Sequence, residues 1–320
     1  KWPGAPVFDI ISPSYVVSAV SSTAPAANAT NPNQVNYSAT SSVSYQYAGL
    51  KMQASGRGSL GFASITTKDN QSLVTTKTTY NQTFPYIGQP LTTTQTSNAG
   101  VIFKSSTNTQ ASISRAGADG TTYYQIYAPT ITEQTKDPVN GAELSYVVTQ
   151  TLAPDAWGNV TGTAANPGIT VTTYAADHTS VVRRMTTYNA YGPSVYEQQF
   201  SRLSSSTVTQ TRPGQSGITR TSNFTYYTDG NIKGLLRTEQ VVTPGGSATA
   251  LTSYQYDIFG NKNCVSVGGD TSTANCTPAT SNRYSITNYD SSSGRYIVDK
   301  RGAFYNGSAW AEQVIEQVVS

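Results

Sequence analysis

An all-β chain, built as a continuous array of similar hairpin units, is the fold class this sequence predicts. Three observations predict it. Tyr occurs 22 times, Phe 8 times and Trp 3 times, with Thr and Val throughout and Met only twice. That mixture fits a pleated, half-buried surface better than a helix. Charged residues make up 12 % of the chain, about half the usual share. The many aromatic and β-branched residues nevertheless argue against disorder. Finally, one unit recurs. It is clearest at Tyr254–Asn261, reading Tyr-Gln-Tyr-Asp-Ile-Phe-Gly-Asn. Tyr254 and Tyr256 fall on one face of a strand, Asp257 opens a turn, and Gly260 and Asn261 suit the positive φ of a hairpin corner. Echoes stand at Asp155–Asn159, Tyr188–Gly192, Tyr226–Asn231 and Tyr289–Gly294. Their glycines, at 158, 192, 230, 260 and 294, are separated by 34, 38, 30 and 34 residues. A degenerate period of this size marks an array of like units. A β-solenoid is the alternative architecture.

Along the chain, Pro13–Val20 reads as a first strand and residues 21–36, rich in Ser, Ala, Asn and Pro, as a long loop. Ser42–Met52 alternates through Val43, Tyr45 and Tyr47 with a turn at Ala48-Gly49. Strands are then predicted at Phe62–Thr67, Leu73–Tyr80, Leu91–Gln95, Val101–Ser105, Gln110–Arg115, Tyr123–Ile131 and Ser145–Leu152. Their connectors carry Asp-Asn, Pro, Asn-Ala-Gly and Asn-Gly. Beyond residue 150 the Tyr-and-Gly units take over. Ala309–Val319 fits either a strand or a helix. Two parts are expected, a β segment over 1–120 and degenerate repeats over 121–320, continuous with one another because no linker separates them.

Net charge is +3 with no basic block, which gives no electrostatic case for nucleic acid. No apolar run approaches the roughly 20 residues of a membrane helix. Residues 1–20 lack the pattern of a secretory leader, and Lys1-Trp-Pro-Gly reads as the start of a mature or excised segment. Cys264 and Cys276 are the only cysteines, twelve positions apart. With no CxxC spacing and a single histidine, a metal or redox pair is disfavoured. A disulfide closing a long hairpin loop, outside the cytosol, and two unpaired thiols are the remaining readings.

Three motifs in the N-terminal third then come in a telling order. They are Tyr45–Lys51, the Gly-Arg-Gly-Ser-Leu-Gly-Phe run at Gly56, Arg57, Gly58, Gly61 and Phe62, and the Phe-Pro-Tyr-Ile-Gly turn at Phe84, Pro85 and Gly88. The run resembles the middle region of the B components of insecticidal toxin complexes and related SpvB-like bacterial proteins, and the units from 150 to 300 resemble YD (Rhs) repeats. The resemblance covers about residues 40–300. It implies a secreted or cell-surface bacterial protein whose long antiparallel β strip curls as part of a hollow shell. It implies as partners the rest of that shell and an enclosed C-terminal effector polypeptide, with virulence as the setting. The self-cleaving members carry paired Asp-Pro-x-Gly sequences. Here a single Asp137-Pro138 is followed by Val-Asn-Gly, so the processing activity is not carried over.

Motifs that would carry other chemistry fare worse. Gly56–Gly61 formally matches GxGxxG, but it leads into another strand rather than a helix, so no dinucleotide cofactor is expected. His178 is the only histidine. Its neighbour Asp177 would point to the opposite side along a strand, and no GxSxG elbow nominates a serine. The carboxylates Glu133, Asp137, Asp155, Asp257, Asp290 and Asp299 are scattered, most at turns, where Asp caps its own backbone. The expectation is therefore a structural protein with no enzyme activity, cofactor or metal. An extracellular adhesin or filament-forming β protein, binding glycans through its tyrosines or self-associating through its sheet edges, is the alternative.

Overall fold

The computed structural model describes residues 6–11, 14–24, 26–27, 33–54, 56–192, 202–228, 230–242, 249–268, 283–305 and 310–317. The chain divides into two compact units. The first comprises Lys1–Ala153 with Thr170–Arg184, the second Pro154–Ile169 with Met185–Ser320.

The first unit contains β1 (Val7–Asp9), β2 (Ala19–Thr23), β3 (Ala26–Ala27), β4 (Val35–Asn36), β5 (Thr40–Ala48), β6 (Lys51–Gln53), β7 (Gly58–Gly61) and β8 (Ser64–Asp69). It continues with β9 (Thr75–Tyr80), β10 (Pro90–Thr96), β11 (Ile102–Asn108), β12 (Ala111–Ala116), β13 (Thr122–Tyr127), β14 (Thr130–Lys136) and β15 (Glu143–Thr151). The main ladder runs β2-β5-β8-β9-β10-β11-β14-β15, with each strand antiparallel to the next. Three small sheets stand apart from it, the trio β1-β6-β7 and the pairs β3-β4 and β12-β13. β16 (Ile169–Tyr174) and β17 (Val181–Tyr191) carry residues of both units.

The second unit continues with β18 (Leu203–Thr211), β19 (Ile218–Tyr226), β20 (Leu236–Val242), β21 (Thr249–Tyr256), β22 (Lys262–Gly268), β23 (Arg283–Tyr289), β24 (Ile297–Tyr305) and β25 (Trp310–Gln317). It is an antiparallel meander in which every strand pairs with its neighbour in sequence. The protein is thus all-β, as expected. Among the described residues the only helical turn is a 3-10 turn at Gly230–Ile232. The ladders do not close among the described residues, where β2 pairs with β5 alone and β25 with β24 alone. Antiparallel pairing of sequence neighbours also disposes of the β-solenoid alternative, whose rungs would stack in parallel.

Local expectations fail over residues 13–20, 21–36 and 123–131, and an open one is settled at the C-terminus. The stretch 21–36, expected to be a long loop, carries the end of β2 and the paired strands β3 and β4, because pairing overrides its turn-rich composition. Residues 14–18 are not extended into the sheet, and the first ladder strand starts at Ala19. Tyr123–Ile131 is two strands, because Pro129 cannot donate to a ladder and marks the break between β13 and β14. The C-terminal stretch is the strand β25, since pairing with β24 overrides its weak helical composition. Residue 120, the expected boundary between the two parts, lies in the turn between β12 and β13.

Little of this sheet is covered. The chain exposes 19851 Å², where a compact monomer of this length exposes about 13,000 Å². Among the described residues the buried hydrophobic side chains are Leu60, Leu251, Cys264 and Tyr284. Three of these share one face of the second meander. Ser253, Ser266 and Tyr284 stand directly opposite one another across β21, β22 and β23, with Leu251 and Cys264 two positions along their own strands. The Ser266 side chain is fully buried there. Cys264 is disulfide-bonded, while Cys276 lies outside the described residues. Most other described positions are half-exposed or exposed, and Thr, Ser and Tyr are common among them. Cross-strand hydroxyl pairs fill part of the role of a core, as in Thr79 with Thr92 (2.6 Å), Thr207 with Thr221 (3.0 Å) and Thr209 with Thr219 (2.9 Å).

With so few buried apolar side chains, each carries a large share of packing. Leu251→Ala is expected to cost about 3 kcal/mol in urea unfolding, and Val267→Ala, whose side chain is half-exposed, less than about 1 kcal/mol. Equal losses would show that Leu251 is not a core residue.

Candidate corner and motif sites

The recurrent unit is a corner. At Asp257, the carboxylate Oδ1 accepts from the backbone N–H groups of Phe259 (2.9 Å) and Asn261 (2.9 Å), and Oδ2 accepts from Asn261 Nδ2 (3.0 Å). The backbone closes the same loop, with Asp257 N–H donating to Asn261 O and Gly260 N–H to Asp257 O. Asp155 repeats this wiring bond for bond. It accepts from Trp157 N–H (2.8 Å), Asn159 N–H (2.9 Å) and Asn159 Nδ2 (3.1 Å). Gly260 holds φ at 85°, a conformation that favours glycine. Asn261 does not share that conformation, and its contribution is the side-chain amide.

Each corner is also tied to a later or earlier one. Asn261 Nδ2 donates to Gly294 O (2.6 Å), and the Phe259 ring packs against Gly294, where a Cβ would collide with it. Tyr227 Oη donates to Tyr254 O (2.8 Å), Tyr226 Oη to Leu203 O (2.9 Å) and Asn189 Nδ2 to Val160 O (3.5 Å). The period read from the sequence therefore has a physical meaning. One step crosses two strands and returns to the same edge, where a side chain bridges consecutive corners. Tyr254 stands beside Lys262, whose Nζ lies 4.7 Å from its ring centroid. Burial raises its phenol pKa, as does the nearby Glu239. The Tyr256 ring meets Tyr227 edge-on at 6.0 Å.

The first unit uses the same device without the tyrosine signature. Gln82 Nε2 donates to Gly49 O (2.6 Å) and Gly61 O (2.7 Å), and Asn81 Nδ2 donates to Gln110 Oε1 (2.8 Å). Sequence reading missed these two amides. The clue available was their position beside the Phe84-Pro85 turn, about one period after Gly49. The two motifs of the N-terminal third meet here. The Arg57 guanidinium lies 3.6 Å from the Phe84 ring centroid and donates to Gln53 Oε1 (3.1 Å). Phe84 in turn packs edge-on against Tyr124 of β13 at 5.0 Å. Phe62 packs on Tyr47 at 4.8 Å. The Phe84-Pro85 peptide is cis, and Gly56, Gly58, Gly61 and Gly88 all have positive φ. Gly56–Gly61 thus runs from a turn into a strand, without the helix N-terminus a dinucleotide site uses.

The candidate carboxylates other than Glu133 are engaged locally, by their own turns or by Arg301. Asp137 accepts from Val139 and Asn140 N–H groups, Asp290 from those of Ser293, Arg295 and Tyr296, and Asp177 from those of Thr179 and Ser180 and from the Ser180 hydroxyl. Asp299 is clamped by both Nε and Nη2 of Arg301 and by Asn288. Glu133 lies in the middle of β14. His178 has φ of 58° and stacks on Tyr146, while Asp177 is occupied by its own turn. Among the described residues no group of three or more His, Cys, Asp or Glu could hold a metal ion. No helix is long and apolar enough to cross a membrane.

The hydrogen bonds set the acidity of the corners. The Ser180 hydroxyl, then the Ser180 and Thr179 N–H groups, hold Asp177 down to about 2. The Tyr296 N–H and its neighbours lower Asp290 further. At Asp257 burial pushes the pKa up, but the bonds from Asn261, Phe259 and Gly260 outweigh it.

No family model matches the chain, and no curated protein matches it. Among solved structures it is similar to TcdB2-TccC3-Cdc42 (6 % identity, TM-score 0.47) and to TcdB2-TccC3 (7 %, 0.46). Each alignment covers 84 % of this chain and 21 % of the other, so the chain spans about a fifth of those proteins. A porin-like protein from Bacteroides vulgatus is similar at 11 % identity with a TM-score of 0.25, over 77 % of this chain and 93 % of that one.

Two outcomes test the corners. Gly294→Ala must place a Cβ against Phe259 at φ of 65°, and is expected to cost about 2 kcal/mol by urea unfolding. A neutral effect would refute the packing of one corner on the next. Asp177, Asp257 and Asp290 have folded-state pKa values below the ordinary carboxylate value of about 3.9, so their contribution is full above that value. It is lost as pH falls through the lowered values, between about 4 and, for Asp177, about 2. Thermal stability is expected to drop across that window, and less steeply in Asp257→Asn. Identical acid profiles would refute the assignment for Asp257.

Proposed function

We propose that this chain is a structural, non-enzymatic segment of an extracellular bacterial Rhs/YD-repeat protein, forming part of the wall of a β shell around a toxin or other polypeptide. The observation that carries the reading is the thin, wet sheet. Both units are antiparallel ladders rich in Thr, Ser and Tyr, most of whose described residues are half-exposed or exposed, with four buried hydrophobic side chains among them. Such a sheet suits a wall better than a globular enzyme, in which a packed core holds catalytic groups rigid. Support comes also from the resemblance of Gly56–Phe62, Phe84–Gly88 and the Tyr254–Asn261 units to the toxin-complex middle region and YD repeats. The carboxylates that might have served as acid and base close turns or bind Arg301, consistent with a role in shape.

The mechanism is confinement. A ladder hydrogen-bonded strand to strand keeps proteases and partners away from whatever it encloses. A lining of weakly charged hydroxyl side chains offers the cargo no strong anchor, and release is then unopposed. The partners are the remaining wall segments, joined through sheet edges, and the enclosed effector.

Limited proteolysis of the natural full-length polypeptide tests the proposal. A stretch outside residues 1–320 is expected to survive while the wall is folded and to be digested once heat unfolds it. Equal digestion before and after unfolding, or no protected stretch, would refute it.

A further inference from the structure

His178 is the only histidine of the chain, and its surroundings exceed what a turn requires. It occupies the tight turn between β16 and β17, with φ of 58°. Its N–H donates to Ala175 O (3.0 Å). The ring leaves its own turn and lies flat on Tyr146 of β15, with centroids 3.9 Å apart and planes 11° from parallel. Its Nε2 stands 3.7 Å from Glu143 Oε2, at the start of β15. The Glu143 side chain is 15 % exposed. Its Oε2 accepts from Gln134 Nε2 (2.7 Å), while the buried Oε1 accepts no hydrogen bond from the described residues. All these residues belong to the first unit.

A carboxylate so placed has one neutral donor and one spare oxygen. Burying it in that state is costly. The group nearest to it that changes charge in the physiological range is an imidazole. The other charged residues around the pair do not take that place. Lys136 is the cross-strand partner of Glu143 in β14, yet it forms no ion pair within 4 Å. Asp177 is engaged by Thr179 and Ser180. Arg183 and Arg184 of β17 are exposed. From β16, Tyr174 meets Tyr146 edge-on at 5.9 Å, uncharged.

We propose that His178 and Glu143, with Tyr146 as the platform, form a pH-sensitive latch that holds the Ala175–Ser180 turn onto β15 more tightly in mild acid. Protonation gives the imidazole a positive charge beside the carboxylate and over a tyrosine face, both of which attract it. The contribution is present while the ring is charged and the carboxylate ionised, and it is lost as rising pH neutralises the ring. The latch is independent of the proposed wall function, because it requires only the local geometry.

Amide hydrogen exchange of the full chain, corrected for the intrinsic pH dependence, tests the latch. Protection of the segment 175–180 is expected to be about two- to fivefold higher at pH 5.5 than at pH 8, the range an exposed to half-buried ion pair supports. His178→Asn keeps a residue that tolerates positive φ, and Glu143→Gln keeps the side-chain shape. His178→Asn is expected to abolish the pH dependence and Glu143→Gln to reduce it to the part the Tyr146 face supplies, both leaving the turn folded, as judged by unchanged exchange in β16. Equal protection at the two pH values in the native chain, or a pH dependence that persists in His178→Asn, would overturn the proposal. If either variant unfolds the turn, the native chain at the two pH values still decides it.

Discussion

Everything in this protein depends on the corner. A single-layer antiparallel sheet satisfies its backbone along the strands, but every reversal leaves N–H groups pointing out of the ladder. In a globular domain a core would hold the reversal in place regardless. Here the core is nearly absent, and an aspartate at the first corner position gathers the stray donors. The same carboxylate fixes the Asn261 amide, which reaches the next corner. One side chain therefore closes its own turn and helps set the spacing to the next. The strands between corners are left free to carry almost any residue of β propensity.

This division of labour explains what was legible in the sequence. Strand content showed because tyrosine, threonine and valine fill both faces. The corners showed because Asp, Gly and Asn have distinct backbone reasons to be there. The period showed because each step spans one hairpin. The bridging side chains did not show. Gln82 and Asn81 are unremarkable amides until the fold brings Gly49 and Gln110 against them. Nor did the meeting of Arg57 with Phe84, since nothing in either motif names the other. The first strand was misplaced, and the state of the C-terminal stretch left open, where pairing rather than propensity decided the matter. Residues 14–18 have strand composition without a ladder, and β25 has mixed composition with one.

The chemistry-bearing residues sort by the same logic. Read singly, His178 beside Asp177 and the scattered acids invite catalytic assignments. Placed in the fold, Asp177 answers to its own turn and His178 to a different strand, so sequence adjacency separates rather than joins them. Asp299 is neutralised by Arg301, which also reaches Glu312 on β25. Charge is sparse in this chain, and where it occurs it mostly ties strand to strand.

Phe259 lying on Gly294 has a consequence for how such chains diverge. If contact between units is confined to a few corner positions in each period of some thirty residues, drift elsewhere meets little resistance. Descendants of one ancestor would soon share few residues at aligned positions while still drawing the same outline. Kinship among them would be preserved in the intervals between glycines, much as metre outlasts the words of a verse.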